Sequence, residues 1–471
     1  MQFLKDYRFL AGIPAIVGMF LLFSPDAHAV PSYARQTGLP CAVCHTTYPE
    51  LTSFGRQFKL NGYVTTGLKQ IESPAGGGLK ISEIPPLSAM FVTSLTNLSK
   101  PLRDPVNADN TLNSAAAFPQ QLSFFFAGEI SEHMGAFSQI TYTHADDRFS
   151  IDNVDLRYAN QGHLGGTNAI YGVTINNAPT VEDPYQGTAA WGFPFISSET
   201  APGPIAGALL DGGLAQDVVG IGGYTLIDNH WYANLSVYQS EHAGVAQPFG
   251  SSTGVPSVKG VAPYLRLAYQ TTFGNNFLEV GAYGLRANIA PNTVGATDEF
   301  TDDAVDAQYE RSLASGDSIV FRGTYIREKV SLNASQPMGL AANASDDLKT
   351  FKVNGEYHFG NSAALAAGVF RISGTADATR YPASPDPATD PGCGIATGEA
   401  CDPAPGFGSA NGSPDTSGWI AQATYLPWQN VQLGVQYTAY SKFNGAADNY
   451  DGLGRNASDN NTLYVYGWFM W

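Results

Sequence analysis

Charge is scarce in this chain. Asp, Glu, Lys and Arg make up 14% of its 471 residues, against about 25% in ordinary soluble domains. Basic residues are the scarcer kind: 24 Lys and Arg stand against 41 Asp and Glu, a formal net charge of -17. That balance excludes nucleic acid as a partner, because phosphate backbones reward clustered Lys and Arg. It suits exposed loops that attract cations. Long apolar runs are also rare. Phe9 to Phe23 is one, preceded by Lys5 and Arg8 and followed by Ala27-His28-Ala29. This pattern reads as a signal peptide over residues 1–29, with the mature chain starting near Val30. Beyond it no stretch is apolar enough for a membrane helix, so the exported chain is expected either to be soluble or to cross a membrane as a barrel. A P-loop, a dinucleotide-binding fingerprint and a nucleophile elbow are all missing, which leaves no sign of bond-breaking chemistry.

Cysteine occurs four times, in two distant pairs. Cys393 and Cys401 lie in a Gly/Pro/Asp-rich stretch, and in an exported chain they read as a disulfide stapling one loop. Cys41 and Cys44 belong to Cys41-Ala42-Val43-Cys44-His45, the attachment pattern of a c-type haem. Two thiols three positions apart on a turn reach two vinyl groups of one porphyrin, and the next imidazole falls over the iron as proximal ligand. A thioredoxin-like redox pair would need a strand and helix around it. A zinc site would need further Cys or His nearby, and residues 46–86 contain neither.

The segment 30–86 is too small for a core of its own, and it holds no second His or Met for the iron. A sixth ligand must come from elsewhere, so the haem segment is expected to fold into or against the rest of the chain. Met90 is the preferred candidate, because the linker runs directly into its strand. His358, Met470, His133 and Met134 are the alternatives.

What is abundant is glycine, tyrosine and phenylalanine, 51, 24 and 26 residues, in short alternating runs. Val431, Leu433, Val435 and Tyr437 alternate with Gln432, Gly434, Gln436 and Thr438. Phe351, Val353, Gly355, Tyr357 and Phe359 alternate with Lys352, Asn354, Glu356 and His358. Such runs are strands with one greasy and one wet face. Very short turns alternate with long polar loops, the asymmetry of transmembrane barrels. The expected fold is all-β: an antiparallel barrel of about sixteen strands over 87–471, in the outer membrane of a Gram-negative cell. The last strand, ending Tyr466-Gly467-Trp468-Phe469-Met470-Trp471, supplies aromatic residues for an interfacial girdle.

Pro31 to Gly38 ahead of the haem motif, Pro49 to Tyr63 after it, and Asp152 to Tyr158 further on resemble the fused monohaem cytochrome–porins of the outer membrane, best known from iron-oxidising bacteria. The resemblance implies one covalent haem c in or at the barrel lumen. It further implies single-electron oxidation of extracellular ferrous iron, with electrons passed to a periplasmic carrier such as a soluble cytochrome. The alternative is a solute porin whose haem is a gate or plug. Glu182, Asp183, Asp298, Glu299, Asp302 and Asp303 fall in expected outer loops, where an acidic rim would raise the local concentration of a cation.

Overall fold

The computed structural model describes residues 32–65, 70–72, 80–103, 111–144, 147–240, 257–291, 295–386 and 406–471. The signal peptide expected over 1–29 and the Cys393–Cys401 disulfide lie outside the described residues.

Strong period-two alternation produces one closed antiparallel sheet. Its strands are β1 (Leu87–Arg103), β2 (Thr111–Ser131), β3 (Met134–Thr143), β4 (Arg148–Leu164), β5 (Thr167–Asn176), β6 (Val218–Ile227), β7 (Trp231–Ser240) and β8 (Ala262–Phe273). They continue as β9 (Asn276–Ala290), β10 (Asp298–Ser312), β11 (Ser318–Ser331), β12 (Ser345–Phe359), β13 (Ala363–Gly374), β14 (Thr416–Trp428), β15 (Val431–Lys442) and β16 (Thr462–Met470). Each pairs with the next in sequence, and β16 closes onto β1 from Thr462 with Leu98 to Met470 with Met90. Ser257–Val258 adds a two-residue bridge to β9. The expected sixteen-stranded barrel is therefore the fold.

Burial is inverted relative to a soluble protein. Leu235, Leu265, Leu267, Val280, Val305 and Phe321 are exposed on the outer face, while Ser123, Gln139, Arg157, Asn234, Arg266 and Glu279 are buried within. A closed ladder leaves no unpaired edge, and an apolar belt fits hydrocarbon; together they place the barrel in the outer membrane. Both ends of the barrel lie on the side of the short turns, the periplasmic side. Gly165 and Gly166 (φ +60° and +86°) make one such turn between β4 and β5, and Asp228 and Asn229 (φ +52° and +56°) make another; consecutive left-handed residues match the strand twist of a tight hairpin.

Two features differ from the sequence reading. Strand β10 begins at Asp298, so the acidic run expected in a loop is part of the wall. Alternation splits it: Asp298 and Asp302 point inward and are buried, Glu299 and Asp303 outward and exposed. Asp298 accepts from the backbone N–H of Ala334 and Ser335 at 2.8 and 2.9 Å, and Asp302 from that of Leu210 at 2.7 Å. The connection 177–217, expected as an outer loop, instead enters the lumen. Glu182 there is buried and accepts from Tyr238, Ser236 and Asn234, and Asp183 pairs with Arg266 at 3.1 Å. A buried carboxylate is tolerated only when hydrogen-bonded or paired. Four of the six acids thus stitch the interior together and form no acidic rim.

Candidate functional site

The N-terminal segment fills the periplasmic part of the lumen with three short helices, α1 (Ser32–Thr37), α2 (Cys41–Cys44) and α3 (Ser53–Leu60). None is long enough to be stable alone, and each is tied to the wall by polar side chains. From α1, Tyr33 Oη donates to Ala136 O at 2.6 Å, and Gln36 bridges Ala127 O and Glu129 N. At α2, the Cys41 and Tyr48 N–H groups donate to Gln429 and Gln432 at 3.3 and 3.1 Å. From α3, Arg56 pairs with Glu310 at 2.6 Å and lies 4.3 Å over the Phe277 ring. Tyr63 Oη donates to Asp155 at 2.6 Å, and Asp155 in turn takes Arg157 at 2.7 Å. Asp155 and Arg157 lie on one face of β4, within a stretch that carried the family resemblance.

The Cys-x-x-Cys turn is built by its neighbours. The His45 N–H donates to Cys41 O at 2.9 Å, closing one helical turn. Thr52 caps α3 by accepting from Gly55 N at 3.1 Å, while its hydroxyl donates to Val43 O at 2.5 Å and its N–H to Cys44 O at 2.9 Å. A Cβ on Gly55 would sit 2.4 Å from Cys44 O, so only glycine lets α3 approach the motif this closely.

Beside this turn lies a mainly apolar, partly open cavity, lined among others by Cys41, Cys44, His45, Met90, Trp468 and Met470. Both thiols are free. Burial pushes the Cys41 thiol up, and burial together with Cys41 pushes that of Cys44 up to about 11, so both stand as neutral thiols. Burial likewise lowers the His45 pKa, outweighing its contacts with the Glu50 and Pro49 carbonyls. Its Nδ1 lies 3.2 Å from Glu50 O. That contact assigns the proton to Nδ1 and leaves Nε2 as the lone-pair nitrogen, the arrangement usual for a ligating histidine. Trp468 Nε1 is buried in the cavity wall without a hydrogen-bond partner among the described residues. His45, Tyr48, Trp468 and Trp191 follow one another with ring centroids 5.5, 6.2 and 5.4 Å apart.

Two thiols, one orientable imidazole and an orphan donor around an apolar space are a donor set that fits a covalent haem. Of the candidate sixth ligands, Met90 and Met470 reach this cavity; they face each other across the β1–β16 closure, Met90 fully buried. His133 and Met134 do not line it: His133 is exposed in the β2–β3 turn and packs on Tyr158. Neither does His358, which lies with Glu50 and Glu356. Of the five candidates the structure thus brings only Met90 and Met470 to the cavity; side-chain direction at a barrel end depends on register, which alternation alone does not supply. Residues not foreseen from the sequence are Glu50, Gly55 and Trp468. Glu50 and Gly55 lay within the stretch Pro49 to Tyr63 that carried the resemblance, and Trp468 shares a strand face with Met470.

No protein-family model matches the chain, and no curated protein matches it. Among solved structures it is similar to a loop-deletion mutant of OmpT, an outer membrane protein of Vibrio cholerae (TM-score 0.44, 11% identity, 82% of this chain and 98% of that one). It is similar also to the outer membrane channel DcaP of Acinetobacter baumannii (0.43, 12%, 86% and 100%) and to an anion-selective porin from Comamonas acidovorans (0.43, 10%, 82% and 98%). These likenesses concern the fold alone; the closed sixteen-strand ladder carries the assignment. The chain is a porin-like outer-membrane β-barrel.

Proposed function

We propose that this barrel passes single electrons through a c-type haem, which Cys41 and Cys44 would hold covalently and whose iron His45 and Met90 would ligate. The observation that carries this reading is the meeting of both free thiols, the imidazole and a buried methionine around one mainly apolar cavity inside the lumen. When bound, haem supplies one-electron Fe(II)/Fe(III) cycling. The protein's part is to hold and shield. Glu50 O sets the His45 tautomer, Gly55 lets α3 brace the motif, and the aromatic walls keep water from the centre. We further propose aqueous ferrous iron as the donor substrate and a soluble periplasmic carrier as the acceptor, since the cavity lies toward the periplasmic end. An iron(II) oxidase of this kind needs no group for bond-breaking chemistry.

The test uses full-length mature protein in detergent. Peroxidase stain should stay with the denatured band, and a ferrous salt should reduce the centre, seen as growth of the sharp visible bands of a reduced c-type haem. A band without stain overturns the haem assignment. A stained band that ferrous salt does not reduce overturns iron as donor. Conduction of small ions by haem-loaded protein in a planar bilayer would favour the solute porin instead.

A further inference from the structure

One cluster in the lumen is used neither by the cavity nor by the anchors. Glu356 and His358 alternate on the inner face of β12, near its periplasmic end, and Glu50 reaches them from the N-terminal segment. One ligand atom from each lies within 4.8 Å of the others, and all three residues are buried. Exposure is 0% for Glu50, 5% for Glu356 and 2% for His358.

The hydrogen-bond inventory is lopsided. Glu50 Oε1 is paired with Arg322, and its Oε2 accepts from the hydroxyls of Thr46 and Thr47. Glu356 Oε1 accepts from Asn354 at 2.8 Å and lies 3.4 Å from Arg322. His358 Nε2 has no hydrogen-bond partner among the described residues. It points between the carboxylates, 3.6 Å from Glu50 Oε2 and 3.5 Å from Glu356 Oε2. The buried ring nitrogen and the two carboxylate oxygens converge without closing hydrogen bonds to one another, so all three can turn to one common partner. Arg322 supplies one positive charge against two carboxylates, and desolvated carboxylates demand compensation.

We propose that Glu50, Glu356 and His358 bind one divalent first-row transition cation. Two hard oxygens with one imidazole nitrogen suit ferrous, manganous or zinc ions and disfavour soft monovalent ones. Because Glu50 belongs to the lumen segment while Glu356 and His358 belong to the wall, the ion cross-links the two. It locks the segment that carries the Cys-x-x-Cys-His turn, five residues before Glu50. The neighbouring cavity is lined by Arg322, the guanidinium that pairs with Glu50, together with Lys352 and Asn354. The site stands whether or not Cys41 and Cys44 carry haem.

Manganous ion is the probe. Full-length protein, stripped with a chelator and titrated with Mn(II), should quench the free-ion paramagnetic resonance signal at one ion per chain, and Zn(II) should displace it. His358→Gln and Glu356→Gln should each weaken binding at least tenfold, while His133→Gln, an exposed turn histidine, should not. Glu50→Gln removes the ligand on the segment, so bound Mn(II) should protect residues 38–40 from protease in the wild type and not in this variant. Heat-modifiable migration shows that each variant keeps its barrel; should one wall variant misfold, the other wall variant and Glu50→Gln decide. No stoichiometric Mn(II) in the wild type overturns the proposal. Unchanged binding in the folded variants overturns it equally. Haem stain is scored on the same samples, so loss of the haem reading and loss of the metal site are told apart.

Discussion

Between β9 and β10 the ladder runs without a break from Asn276 opposite Arg311 to Ile289 opposite Asp298. Inside the same barrel, Ser32 to Tyr63 offers helices of six, four and eight residues, joined by turns and fastened to the wall by single side chains. The wall is stabilised by a repeated backbone pattern in which no one residue is critical. The segment it encloses depends on a few anchors, each of which removes a buried polar group from water. Damage should therefore spread evenly in one region and act at points in the other.

The sharpest separation of the two is expected from Cys41→Ser with Cys44→Ser. All haem stain should vanish from the denatured band while heat-modifiable barrel migration stays as in the wild type. Loss of the barrel as well would mean that the wall needs its plug to assemble.

Next in size is Asp155→Ala. It leaves Arg157, 0% exposed, without its carboxylate, and breaking a buried ion pair from one side costs about 3–5 kcal/mol. Tyr63 loses its acceptor at the same time. Equilibrium unfolding in detergent should register the loss, and protease should cut the N-terminal segment well before the wall. A change on the outward face of the wall such as Glu299→Ala, an exposed residue of β10, should stay within about 0.5 kcal/mol of wild type.

Gly55→Ala is a smaller test. The added methyl overlaps Cys44 O, and overpacking of this kind costs about 1–3 kcal/mol. The expected outcome is a shifted absorption spectrum or lowered occupancy of the Cys-x-x-Cys-His site, with wall stability unchanged.

The last effect is spread over a range of pH. Burial, aided by Arg157 and opposed by Asp155, holds the Lys59 ammonium down to about 8 from an ordinary 10.5. Between those values the unfolded chain binds a proton that the folded one does not, so stability rises with pH across that window. The cost of burying the charge is fully present below pH 8. Lys59→Met should flatten the slope of unfolding free energy between about pH 8 and 10.5; an unchanged slope would place the titration elsewhere.

Much of the wall was legible in the residues. Alternation in Val431 to Thr438 and in Phe351 to Phe359 assigned faces that the burial pattern repeats, because a strand has a side-chain period of two whatever surrounds it. The Cys41-Ala42-Val43-Cys44-His45 spacing marked the candidate site in the same local way. Strand ends were less legible. Asp298 to Asp303 is polar enough for a loop, and only pairing with β9 and β11 draws it into the wall.

The sequence by itself determined the barrel, its strand number, the inward and outward faces, and the thiol–imidazole motif, because each follows from local periodicity or adjacent residues. Tertiary structure alone decided that Met90 and Met470 meet the motif while His133 does not, and that residues 177–217 turn inward. It alone brought Glu50 to Glu356 and His358, some three hundred positions away. Closing a sheet into a cylinder sets which strands stand opposite one another, and no local pattern in the chain encodes that distance.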